Sequence, residues 1–399
     1  MGDHENRQRA NTSIPLSDPV AAARELTPLI RAYADETERG RRLAAPVVSA
    51  IRSAGLFTMG LPVSLGGSET PVPTALRAIE QIAYADGATG WNVMIAFDTG
   101  LWAGFIHKPQ ARTLIASIPQ PILAGVISPP GRMDRVAGGY RVTGRWRFGS
   151  GCQQADVFIL GALPSIEGES AAGANRMHEL YQLVVPAADV AILDTWHVAG
   201  MRGTGSHDFA VENRFVSDGF VEPLNLGAPA EAGPLYAFGV IAAYGVVKTA
   251  IAVGIARHAI EALKEMAMAK TPTGHTSLLR ERPVLQTDLA RAEACVRSAR
   301  AFMDEIVAEV WHGVANGNPP TTEQRALLRL AAVDGVQRAV EAVDLMYKAG
   351  GGTAIYESSP LERCFRDVHV IPAHIVVQPN VYEVAGRVFL NLPPGTMLF

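Results

Sequence analysis

Two stretches of this chain set reactive side chains beside glycine. In "WRFGSGCQQAD", residues 146–156, Trp146, Phe148 and Ser150 fall on one side if a strand runs through them. Aromatic faces, a small hydroxyl and bare backbone suit a flat conjugated ring, which the aromatics could stack on and Ser150 could hydrogen-bond at its edge. An isolated strand with a core Trp and Phe beside a turn serine would look the same. Serine hydrolysis fits poorly, because Gly-Ser-Gly-Cys lacks the GxSxG elbow. The second stretch, "GMRGTGS" at 200–206, lies between strand-like runs, where a dinucleotide fingerprint is not expected. Its freed backbone N–H groups, the Thr204 and Ser206 hydroxyls and Arg202 could hold a phosphate or a polar ring edge, or could form a plain turn.

The third candidate is "RDVHVIPAHIVVQ", residues 366–378. His369 and His374 are five residues apart and would diverge on a helix, and there is no HExxH, so no zinc or iron site is expected. His374 could act in proton exchange near neutral pH, whereas a lone histidine among Ile, Ala and Val is more often a satisfied core residue. Cys152, Cys295 and Cys364 lie far apart without a CxxC pair, which signals neither a disulfide framework nor a cysteine-rich metal site and suits a reducing cytoplasm.

These residues need elements to hold them. Residues 1–17 are polar, with no apolar run before a cleavage site, and read as a mobile leader. Segment 18–120 has helical periodicity: Asp18 and Pro19 form a helix start, and the run from Gly90 to Ile106 is apolar nearly all round, as in a buried helix. Segment 121–232 turns to Gly, Pro and short β-rich runs. In "YRVTGRWRF" the residues Tyr140, Val142, Trp146 and Phe148 oppose Arg141, Thr143, Arg145 and Arg147, the signature of a half-buried antiparallel strand. Segment 233–399 returns to long helical patterns, roughly 235–269, 283–312 and 322–349, the last ending at Gly350, Gly351 and Gly352, with a final helical stretch after Pro372. The fold class is therefore α+β: helical domain, β domain, helical bundle.

With 399 residues, 48% of them apolar, the chain can bury a large core. A net charge of −4 with scattered Lys and Arg argues against nucleic acid or an anionic membrane as partner. The apolar run "YAFGVIAAYGVVKTAIAVGIA" is broken by Gly, Lys and Tyr, which favours a buried bundle helix over a membrane span.

The phrases "GATGWN" (87–92), "GGYRVTGRWRFGSGCQQADVF" (138–158), "DTWHVAGMRGTGSHDFAVENRFV" (194–216), "AVGIARHAI" (252–260) and "PLERCFRDVHVIPAH" (360–374), in this order, resemble the acyl-CoA dehydrogenase superfamily over nearly the whole chain. "TGW", "SGC" and "RGTGS" look most like its two-component flavin monooxygenases, which use reduced flavin from a separate reductase. The resemblance implies an N-terminal helical domain, a central β-barrel-like domain and a C-terminal four-helix bundle in a homotetramer. It implies FMN or FAD as cofactor, a small aromatic or polycyclic substrate, and oxygenation through a flavin hydroperoxide. Matched residue by residue, Trp146, Phe148, Ser150, Arg202, Thr204 and Ser206 would line the flavin, Gly351 and Gly352 would approach the cofactor of a neighbouring subunit, and His374 would face flavin and substrate.

The superfamily's dehydrogenases need a glutamate base. Its place after Arg366 and Asp367 falls at about Ile375, and its alternative place falls near Tyr244. Neither is a carboxylate, and a phenol with an ordinary pKa of about 10 is a weak base at pH 7. Monooxygenation is thus expected ahead of acyl-CoA dehydrogenation or a degenerate flavin-fold binding protein. Some aromatic hydroxylases of the group carry a histidine about eight residues after the "TGW" tryptophan. Here "IAFDTGLW" offers Asp98 and Thr99 instead, so Trp91, Asp98 and Tyr244 are the expected substrate contacts, with Ser150 and His374 as the catalytic pair. Asp98 could equally be a surface or capping residue.

Overall fold

The computed structural model describes residues 18–165, 176–396 and 399; the leader expected at 1–17 lies outside the described residues. The N-terminal part contains α1 (Pro19–Ala32), α2 (Ala34–Gly40), α3 (Ala45–Ser53), α4 (Val72–Ala85), α5 (Gly87–Ala103) and α6 (Pro109–Ala116). Asp18 caps α1 by accepting from the Val20 N–H, as its Asp-Pro start suggests. Asp86 caps α5, accepting from both the backbone N–H and the hydroxyl of Thr89. Nearly every residue of α5 is buried, which matches its unbroken apolar run.

The β domain is a sheet of β1 (Leu123–Val136), β2 (Gly139–Trp146), β3 (Val157–Pro164), β4 (Tyr181–Pro186), β5 (Ala191–Leu193), β6 (Asp208–Ser217) and β7 (Val221–Pro223). Their order is β5-β6-β2-β1-β3-β4-β7, so the ladder of described residues does not close on itself and barrel closure is not seen. Ala137 and Gly138 turn β1 into β2, with Gly138 at φ +77°. On β3, Phe158 and Leu160 enter the sheet's own core beside Trp146 and Phe209, while Val157 and Ile159 pack with Ile106 and Ile115. Both faces are covered, which is why this strand reads as continuous apolar sequence.

The C-terminal part holds α7 (Pro234–Ala237), α8 (Val240–Ala269), α9 (Pro283–Ala315), α10 (Thr322–Gly350), α11 (Pro360–Val368) and α12 (Asn380–Phe389). Helix α8 is long and apolar enough to cross a membrane by composition alone, but it is packed among α4, α5, α9, α10 and α11. Thr321 and Gln324 form a reciprocal capping box at the start of α10. The last expected helix begins at Asn380 rather than directly after Pro372. Residues Ile371–Ala373 make a single tight turn, which leaves His374 in extended backbone.

The Arg366–Asp367 pair joins the three parts. Asp367, 2% exposed, accepts the Met201 N–H at 2.5 Å, and Arg366 donates to the Ala199 carbonyl at 2.7 Å and to Glu38 of α2 at 2.8 Å. The loop fits because Gly200 has no side chain: a Cβ there would lie 2.1 Å from the Arg366 carbonyl oxygen. Burial raises the Asp367 carboxyl to about 7, above the value it has when unfolded. Between about pH 4 and 7 the folded state therefore holds a proton that the unfolded state has lost, so this group's stabilising contribution is present at low pH and fades as pH rises through 7. Asp367→Asn, which keeps the acceptor oxygen but cannot ionise, should flatten the loss of stability between pH 5 and 8 by about 2–4 kcal/mol, measured by denaturant unfolding at both pH values.

Candidate active site

Strand β2 stops at Trp146, and the chain then turns through Phe148 at φ +61° into Gly149–Gly151. The turn brings Ser150 against the 200–206 loop. Ser150 Oγ lies 2.5 Å from Ser206 Oγ, which lies 2.7 Å from Thr204 Oγ1, and Thr204 donates to the Met201 carbonyl at 2.8 Å. Each hydroxyl has one hydrogen. Because Thr204 gives its own to Met201, Ser206 must donate to Thr204 and Ser150 must donate to Ser206. Ser150 Oγ therefore only accepts from elsewhere, and it does so from the Trp91 indole N–H at 3.0 Å.

Trp91 also reaches the C-terminal segment. Its ring meets the His374 imidazole edge-on, with centroids 5.8 Å apart. His374 Nδ1 accepts the Val376 N–H at 3.4 Å, which leaves the ring proton of the neutral form on Nε2. Burial, reinforced by the charges of Lys248 and Arg329, pushes the imidazole down to about 3. At neutral pH His374 is an uncharged group with an N–H to donate.

Along α5, Asp98 is buried against Lys248 of α8, with Lys248 Nζ 2.5 Å from Asp98 Oδ2. Burial raises the carboxyl to about 6 and lowers the amine, each opposed by the partner's charge. Asp98 Oδ1 has no hydrogen-bond partner among the described residues. The Tyr244 ring lies under Lys248 Nζ at 4.9 Å and beside Trp102, and its hydroxyl donates to the Asp98 carbonyl at 3.3 Å. Burial raises the Tyr244 phenol well above its ordinary value.

The expected residues are not all brought together. Ser150, Thr204 and Ser206 form one cluster, and Trp91 ties it to His374. Trp146 is different: it is fully buried in the β core, stacked on Phe209 at 5.7 Å and donating its N–H to the Gly161 carbonyl at 3.0 Å. The shared face of Trp146, Phe148 and Ser150 is corrected on this point, because the strand ends at Trp146 and the backbone reverses at Phe148. Phe148 is 69% exposed, with its edge toward Trp196. Arg202 donates to the Val198 carbonyl at 2.9 Å and lies 3.7 Å from Glu38, outside the hydroxyl cluster. Gly351 and Gly352 are exposed at the end of α10. Asp98 is neither a surface nor a capping residue but half of a buried ion pair.

Residues 246–379 match the acyl-CoA dehydrogenase C-terminal domain family. Indole-3-acetate monooxygenase of Pseudomonas putida is 30% identical over 91% of this chain and 91% of its own length. The chain belongs to the flavin-dependent monooxygenases of the acyl-CoA dehydrogenase superfamily. The flavin-dependent monooxygenase oxygenase subunit HsaA of Rhodococcus jostii is 28% identical over 92% of this chain and 97% of its own. The crystal structure of the HsaA monooxygenase from M. tuberculosis aligns with a TM-score of 0.86 and 25% identity, covering 96% of this chain and 99% of that one. XiaF from Streptomyces sp., in complex with FADH2 and glycerol, aligns with a TM-score of 0.85 and 25% identity over 95% and 96%.

Residue reasoning missed Lys248, Arg329, Asn92 and Gln154. Asn92 bridges the Ala88 carbonyl and the Gln154 amide behind the 203–205 turn. The charged pair had a signal: "GVVKTAIA" and "ALLRLAAV" each set one cation in a buried apolar helix, and such a cation needs a partner or a purpose. Removing one member of a buried ion pair typically costs about 3–5 kcal/mol. Asp98→Asn should therefore lower the unfolding free energy by about that much, and Asp98→Asn combined with Lys248→Met should recover most of it, measured as a double-mutant cycle in denaturant.

Proposed function

We propose that this chain is the oxygenase component of a two-component system in the cytoplasm, taking reduced FMN or FAD from a separate reductase and adding one oxygen atom from O2 to a small aromatic or polycyclic substrate. The observation that carries the cofactor reading is the polarity of the hydroxyl relay. A reduced flavin ring presents an N–H at its reactive edge, and Ser150 Oγ, with its hydrogen committed to Ser206, is an acceptor for such a donor. The exposed Phe148 and the glycines on both sides of Ser150 leave apolar surface and bare backbone for a flat ring. These residues fit a flavin. When bound, it supplies the two electrons that divide O2 between product and water.

Ser150, Thr204 and Ser206 would hold the ring edge, with Phe148 at its rim. Arg202, Gly351 and Gly352 would serve the cofactor's far end, the glycines in a neighbouring copy of a homotetramer. His374 would hold a proton at Nε2 and donate a hydrogen bond toward the reacting oxygen, a role that suits a neutral imidazole better than that of a base. Trp91, Trp102 and Tyr244 offer aromatic walls for the substrate, and the unpartnered Asp98 Oδ1 offers an acceptor for a substrate N–H or O–H. No carboxylate stands where acyl-CoA dehydrogenation requires its base: Ile375 cannot take a proton, and the Tyr244 phenol is held protonated.

The test supplies chemically reduced FMN or FAD and 18O2 to the protein with a panel of indoles and phenols, and reads label in the product against peroxide released. One labelled oxygen per product is expected. Ser150→Ala and His374→Ala should divert at least about 90% of the electrons to peroxide, about a tenfold loss of coupling, while His374→Gln, which keeps an N–H donor, should retain part of it. His374 titrates too low to produce a step in coupling between pH 6 and 8. Dye reduction by an acyl-CoA, with no labelled aromatic product, would sink the proposal.

A further inference from the structure

Arg329 lies within α10 and is 3% exposed, yet its guanidinium has no hydrogen bond and no ion pair among the described residues, with Nε and Nη1 both buried and unsatisfied. The other cations around the site are paired: Lys248 with Asp98, Arg202 with Glu38, Arg366 with Glu38 and Glu362. Arg329 sits on the stretch of α10 that packs against α8 close to Lys248, since Thr249 donates to the Ala332 carbonyl at 2.9 Å. The same helix packs against the turn that carries His374. His374 feels the charges of both Lys248 and Arg329. With Asp98 cancelling Lys248 and His374 neutral, the space around His374 is left with one uncompensated positive charge, and that charge has a planar fork of donors.

We propose that Arg329 is the anion-recognition residue of the substrate site, and that the physiological substrate is an aromatic or polycyclic acid whose carboxylate pairs with this guanidinium. The inference rests on the monooxygenase reading and adds to it the charge of the substrate. A carboxylate answers every feature of the position. It presents two oxygens to the fork, removes the unsatisfied donors from a buried setting, and anchors one end of a ring system that Trp91, Trp102 and Tyr244 would flank. A neutral ring would leave the guanidinium as bare as before.

The experiment measures equilibrium binding to the full-length protein without flavin, by calorimetry, using indole-3-acetate and its neutral amide, indole-3-acetamide. The wild type should bind the acid at least about tenfold more tightly than the amide. Arg329→Met should lose that preference by weakening the acid while the amide stays within about twofold, and Arg329→Lys should keep part of it. Because Arg329→Met removes an unpaired buried charge, its melting temperature without ligand should rise, which shows that a lost preference is not misfolding. A wild type with no preference for the acid, including one that binds neither compound, overturns the proposal. So does an Arg329→Met variant that keeps the preference but binds reduced FMN more weakly, or that falls to a smaller assembly, since the guanidinium would then serve the cofactor or a second copy of the chain. Oxygenation of neutral aromatics by the wild type would leave the monooxygenase reading standing whichever way the acid preference falls.

Discussion

Everything around the candidate site hangs on one buried carboxylate taking one backbone N–H. Asp367, near the end of the chain, fixes Met201 in the middle of it. Met201 in turn fixes the direction of the Thr204, Ser206 and Ser150 hydroxyls through its carbonyl, while the neighbouring Arg366 holds α2 through Glu38. The N-terminal helices, the sheet's 199–206 loop and the C-terminal segment are thereby held against one another. Met201 adopts a left-handed backbone at φ +55°, an uncommon conformation for a non-glycine residue that the surrounding contacts must sustain.

The site is built from contrasts in polarity rather than from a concentration of acids and bases. On one side, a chain of hydroxyls disposes of its hydrogens internally and leaves an acceptor. On the other, burial, reinforced by two nearby cations, keeps His374 uncharged and able to donate. Trp91 touches both, giving its N–H to Ser150 and its ring edge to His374. A helix as apolar as α5 is well suited to carry such a residue, because its burial on every side leaves the indole little freedom to turn away.

Much of this was legible in the sequence. Periodicity gave the helix–sheet–helix order, and the run read at 322–349 falls within a residue of α10 at Thr322–Gly350. The resemblance of local phrases points to the monooxygenase branch, to which the chain belongs. What the sequence could not convey was where regularity stops. Alternation carried Phe148 onto the inner face of β2, but the backbone turns left-handed there, and period-2 reasoning has no sight of such a break. Trp146 was assigned to the cofactor on its phrase and proves to be sheet core, with its N–H already given to Gly161. Lys248 reads only as a polar interruption of an apolar helix and Arg329 draws no reading at all, because only their placement in the fold tells a paired cation from an unpaired one.

On the proposed reading, the one-way run of hydroxyls would bear on release as well as capture. An oxygen that can only accept discriminates between a ring that carries an N–H and the same ring after that hydrogen has gone, when the facing nitrogen has a lone pair of its own. If Ser150 holds the ring edge as proposed, two lone pairs would then face each other, and the contact that favoured arrival would oppose staying. Set by a carbonyl two hydroxyls away, Ser150 would act as a valve, its grip loosening as the carrier is spent and the place cleared for the next.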